Sequence, residues 1–69
     1  MKKYKYAFQN IFCKTQEDVN RVLNEEVYKL NPEDITSLQI LPYFDAKLTS
    51  GFIVPICWYV CYVFRYEIQ

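Results

Sequence analysis

The sequence predicts a small α+β domain: a split β-α-β-β sheet of three strands, with one helix on one face and the other face used for oligomerisation. Three observations predict it. Aromatic residues recur at every second position near the start (Tyr4, Tyr6, Phe8). One apolar stripe then follows at helical spacing (Val19, Val22, Leu23, Val27, Leu30). The last third, from Phe52 to Phe64, is apolar or aromatic on both sides of an extended chain. At 69 residues this is one domain, residues 1–69. A domain of this size buries only about 60% of the surface it exposes when unfolded, so a lone copy is marginally stable.

The first strand runs from about Lys3 to Phe12, with Tyr4, Tyr6 and Phe8 on one side and Lys3, Lys5 and Gln9 on the other. Thr15 has the character of a helix N-cap, with Glu17 and Asp18 favourably placed in the first turn. The stripe from Val19 to Leu30 makes a surface helix laid on a sheet, with Arg21, Asn24, Glu25 and Lys29 mainly outside it. Asn31-Pro32-Glu33-Asp34 stops the helix, because proline lacks the amide hydrogen and disfavours helix in the residue before it.

A second strand is expected over Ile35–Phe44, with Leu38, Ile40 and Phe44 on one side and Leu41 and Tyr43 on the other. Pro42 cannot donate to a ladder, which makes this an edge strand or ends it. Asp45 to Gly51 carries the chain round. In the third strand Ile56, Trp58, Val60, Tyr62 and Phe64 point one way, and Cys57, Tyr59, Cys61 and Val63 the other. A strand apolar on both sides belongs in the middle of a sheet with both faces covered. The single crossover helix places it between the first two strands. One helix covers one face, so Cys57, Tyr59, Cys61 and Val63 are expected to form an oligomer interface, most simply a homodimer.

Other ways of stabilising so short a chain are less well provided for. Three cysteines are an odd number. Cys57 and Cys61 would lie about 13 Å apart on a strand, beyond the roughly 7 Å a disulfide allows. Without histidine, Cys-x3-Cys and one distant cysteine do not make a zinc set. No metal and no cofactor is expected. The apolar run falls short of the roughly 20 residues that span a bilayer, and Met1-Lys2-Lys3-Tyr4-Lys5-Tyr6 lacks the apolar centre of a secretion signal. A cytoplasmic protein without a membrane segment is expected.

The absence of histidine also removes Ser-His and Cys-His nucleophile pairs. Glu25-Glu26 and Glu33-Asp34 are sequence neighbours that do not converge as an acid-base pair. A single glycine cannot build a phosphate loop. The expected protein is therefore not an enzyme. Formal net charge is zero, which argues against a long nucleic-acid track. It is unevenly spread, with Lys2, Lys3, Lys5 and Lys14 in the first segment and Glu17, Asp18, Glu25, Glu26, Glu33 and Asp34 in the next.

Seven tyrosines, five phenylalanines and a tryptophan supply broad contact area with polar tips. Most of these rings suit core and interface. A sharper reading makes Tyr4, Tyr6, Tyr43 and Tyr59 stacking surfaces and Lys3, Lys5 and Arg65 anion contacts, the means by which bases and phosphates are held. Across a two-fold interface each contact appears twice.

In layout the chain loosely resembles a family of small sporulation-associated proteins of endospore-forming bacteria: a first strand, an acidic helix, an Asp-Ile strand start (Asp34-Ile35) and a closing aromatic strand. In size and expected oligomerisation it also resembles small phage-encoded anti-defence proteins, some of which sequester a signalling nucleotide while others bind a defence protein. Two functional expectations follow. One is a homo-oligomeric binder that sequesters a small nucleotide. The other is a protein-binding inhibitor or adaptor, anti-defence or sporulation-related, that meets a host protein through its open sheet face or acidic helix.

Overall fold

A computed structural model of the chain describes residues 2–44 and 55–69. The turn expected over Asp45–Gly51 and the lead-in at Phe52–Val54 lie outside the described residues. Strand β1 spans Lys3–Cys13, helix α1 Gln16–Val22, strand β2 Ile35–Phe44 and strand β3 Pro55–Ile68. β3 lies between the other two and runs antiparallel to both. β1 and β2 therefore run parallel to each other without touching, which is the expected split unit.

The strand order follows from composition. β3, apolar on both sides, takes the centre. β2 carries Pro42 and takes an edge, where a missing N–H costs nothing. Its pairing slips between Ile35 and Ser37 and again between Tyr43 and Phe44. β1 pairs with β3 without interruption from Cys13↔Trp58 to Lys3↔Ile68. β3 thus runs four residues beyond the expected end at Phe64, because Arg65, Tyr66, Glu67 and Ile68 continue the ladder with Tyr6 to Lys3.

α1 starts where the capping residues place it. The Thr15 hydroxyl accepts a hydrogen bond from the Asp18 amide at 3.1 Å, and Glu17 and Asp18 favour the positive end of the helix. The helix does not continue as a regular α-helix to Leu30. From Leu23 to Val27 it widens into a π turn, closed by the Tyr28 amide donating to the Leu23 carbonyl at 2.8 Å.

The stripe explains the widening. At about 100° per residue, Glu26 would lie only about 20° from Val19 and Val27 about 80° away. A π turn rotates less per residue, because each of its bonds encloses one more residue. It therefore turns Glu26 outward and brings Val27 under the helix, where Val27 is fully buried. After it, Pro32–Asp34 forms a single 3-10 turn into β2.

The core consists of Cys13, Val19, Val22, Val27, Val60 and Tyr62, with Ile11, Leu23, Leu30, Ile35, Trp58 and Phe64 partly buried around it. α1 packs on β1 and β3. Apart from Ile35, every residue of β2 is exposed, including Leu38 and Ile40 on the side the helix covers elsewhere. The chain is elongated, 57 × 18 × 15 Å, with a radius of gyration of 15.4 Å. A compact chain of this length has a radius of about 11 Å.

Candidate functional site

The face of the sheet away from α1 is the most distinctive surface of the molecule. The register assigns the sides. Ile11 and Cys13 join the core opposite Val60 and Trp58, so the odd positions of β1 lie with the helix and the even ones on the open face. The open face therefore carries Tyr4, Tyr6, Phe8, Asn10 and Phe12 from β1. β3 contributes Cys57, Tyr59, Cys61, Val63, Arg65 and Glu67, and β2 contributes Ser37, Gln39, Leu41 and Tyr43. The aromatic side of β1 is thus the uncovered one: Tyr6 is 63% exposed, Phe8 64% and Phe12 56%.

Contacts on this face come in three groups along β3. At one end, the Arg65 guanidinium lies 4.2 Å from the centre of the Tyr4 ring. Its Nε donates to Asp34 Oδ1 at 3.0 Å. That hydrogen bond, more than any other influence, pushes the Arg65 pKa above its ordinary value, and burial opposes it only in part. In the middle, the Cys61 thiol donates to Asn10 Oδ1 at 3.3 Å. Beyond it Phe12 and Tyr59 meet edge to face at 5.5 Å. Tyr43 stands opposite Cys57 at the far end.

The sequence-predicted ligand residues are therefore divided. Tyr4, Tyr6 and Arg65 share one end of the open face. Tyr59 and Tyr43 lie towards the other, six and eight positions from the Arg65 level, or about 20 and 26 Å at strand spacing. Lys3 and Lys5 occupy odd positions opposite Ile68 and Tyr66, on the helix side of the sheet. No single chain brings all seven together.

The residues expected at an interface, Cys57, Tyr59, Cys61 and Val63, do share the open face. Tyr59 is exposed, Cys61 and Val63 are half-buried, and Cys57 is buried. Phe8, Phe12 and Leu41 are exposed members of the same surface that the expected ligand and interface residues did not include. The signal for the first two was the period of Tyr4 and Tyr6 continued to Phe12. Asp34 as the partner of Arg65 had no sequence signal, since it depends on the pairing of Ile35 with Phe64.

The open face offers breadth rather than depth: no enclosed pocket occurs among the described residues. Among them there is also no grouping of three or more metal-ligating side chains. No helix among them is long and apolar enough to cross a membrane. No protein-family model, curated protein or solved structure matches the chain.

Proposed function

We propose that this protein is a small, non-enzymatic binding module that works as a homo-oligomer, two copies meeting through their open sheet faces. One observation carries the reading. The chain exposes 5692 Å², whereas a compact monomer of 8.4 kDa exposes about 4,600 Å². The excess, about 1,100 Å², exceeds the roughly 800 Å² per partner that a stable protein interface buries. Tyr6, Phe8, Phe12, Leu41, Tyr43 and Tyr59, all exposed, lie on that open face. Self-pairing suits that face because it is broad and aromatic, and Lys3 and Lys5 lie on the other side of β1.

Sedimentation velocity on the purified protein tests this reading. The wild type is expected as a dimer or larger at micromolar concentration. Tyr59→Asp, which sets a carboxylate beside Phe12, is expected to weaken the open-face contact at least a hundredfold while leaving the circular dichroism unchanged. A wild type that stays monomeric at 100 µM overturns the reading.

A second reading, sequestration of a small phosphorylated nucleotide in the anti-defence manner, is supported by Arg65 over Tyr4. A ring and a cation side by side, doubled across a two-fold axis, suit a base and a phosphate. Native mass spectrometry of protein taken directly from cells tests it. Added mass of a few hundred daltons that Arg65→Ala abolishes, with the oligomer intact, supports it. An oligomer without added mass favours a protein partner.

A further inference from the structure

The outer side of β2 is a strand edge with its backbone groups turned outward. Among the described residues β3 is the only strand beside β2. Successive residues of a strand point their N–H and C=O groups to alternate sides. Pro42 has no N–H and stands opposite Trp58, in a pairing that runs unbroken from Ser37 to Tyr43. Its backbone therefore faces away from β3, as prolines in edge strands do. Leu38 and Ile40, two and four residues earlier, face the same way. Their N–H and C=O groups point outward, where no described strand receives them.

Edge strands of soluble proteins are blunted by charge, proline or bulges. The other edge, β1, carries Lys3 and Lys5. β2 carries no charged residue from Ile35 to Phe44. Its proline and its two slips in register lie towards its ends, and Ser37–Leu41 between them has neither. Leu38 and Ile40 on the helix side and Leu41 on the open side are all exposed. The helix lies over β1 and β3.

We infer that this edge pairs with β2 of a second copy, antiparallel about a two-fold axis through Gln39. The Leu38 N–H donates to the Ile40 carbonyl of the second copy, whose Ile40 N–H donates back to the Leu38 carbonyl, and symmetry repeats both bonds. Pro42, the missing donor, falls opposite Thr36, where the pairing of β2 with β3 already slips. Leu38 of each copy lies beside Ile40 of the other on the helix side. Symmetry selects β2 over β1 as the occupant. β2 against β1 is head to tail and repeats from chain to chain, whereas β2 against β2 closes after two copies. The closed pair is a sheet of six strands, three from each copy. Its outer edges are both β1, each with Lys3 and Lys5 to discourage a further strand. Both open faces stay on one side of this sheet, free for the face-to-face contact.

Disulfide crosslinking of the full-length chain tests the inference. The background is Tyr59→Asp with Cys61→Ser, which weakens the open-face contact and removes the thiol opposite Gln39. In the two-fold register the Gln39 residues of the two copies form a pair without hydrogen bonds between them, their Cα atoms about 4.5 Å apart. That spacing suits a disulfide. The Ser37 residues are four positions out of register with each other, about 13 Å apart. With oxidised glutathione, Gln39→Cys is expected to form a covalent dimer at least tenfold faster than Ser37→Cys. Adding Ile40→Lys, with circular dichroism unchanged, is expected to bring the Gln39→Cys rate down to that of Ser37→Cys.

Equal rates for the two thiols, which mean random collision, overturn the inference, as does a Gln39→Cys protein that stays uncrosslinked. An oligomeric wild type with either of those results leaves the open-face reading standing. A monomeric wild type that crosslinks rapidly through Gln39→Cys in this background removes the open-face reading and supports the edge.

Discussion

Single residues show how strongly this small core depends on excluding water. The Cys13 thiol is 1% exposed and the Tyr62 side chain 4%. Burial pushes the pKa of Cys13 above its ordinary 9.0, with Asp18 adding to the effect. Burial likewise pushes Tyr62 above 10.0, with Glu26 adding to it. Both are acids whose folded pKa is raised, so the folded state holds the proton more tightly than the unfolded one. Their contribution to stability is therefore fully present well below pH 9 and is lost as the pH rises through each folded value. The thermal midpoint is expected to be level from pH 7 to 8.5 and to decline above about pH 9. Tyr62→Phe should flatten the part of the decline above pH 10 and leave the earlier part. A midpoint that stays level to pH 11 in the wild type refutes the assignment. That Cys57 is buried on the otherwise open face was not legible in the sequence.

Among the elements, the helix was the best read and also held the main surprise. Its start was written in Thr15, Glu17 and Asp18, and the structure uses the Thr15 hydroxyl as expected. Thr15→Ala should cost about 1 kcal/mol. In a domain of this size that lowers the thermal midpoint by roughly 4–8 °C, which scanning calorimetry would detect; Thr15→Ser should restore most of it. The π turn was legible only in retrospect. Val19, Val22, Leu23, Val27 and Leu30 suggest one stripe, yet a regular helix would set Glu26 inside it and Val27 at its margin. Strand order was legible because proline and two-sided apolarity constrain an edge and a centre differently. The length of β3 was less so, since Arg65 and Glu67 interrupt the apolar run without interrupting the backbone pairing.

On the scale of the whole molecule, one chain has more sheet than it can cover. The sequence announced this as two-sided apolarity in the third strand against a single helix. The structure locates the uncovered surface on the even positions of β1, on both sides of β2 and beyond the end of the helix. Which candidate ligand residues lie together was much less legible. The alternation of lysine and tyrosine in β1 separates them onto opposite faces, and only the register reveals which face the helix takes. If association supplies the missing cover, folding and assembly are linked by mass action. The wild-type thermal midpoint is then expected to rise by several degrees between 1 and 100 µM protein, and that of Tyr59→Asp to rise less. A wild-type midpoint independent of concentration would contradict such linkage.

The position of β3 also bears on how the chain is made. The strand at the centre of the sheet is the last of the three to leave the ribosome. Until it emerges, β1 and β2 have no neighbour to pair with, for they never touch each other. Only the short helix can form early, and its buried side has nothing to rest on. The nascent chain must therefore keep Tyr4, Tyr6, Phe8 and Phe12 exposed until β3 has emerged. Contacts between segments so far apart in sequence form slowly, and aromatic strands waiting for a partner are prone to join one another. Lys2 and Lys3 just before those aromatics and Lys5 between the first two give the waiting strand a charge that keeps neighbouring copies apart until the sheet can close.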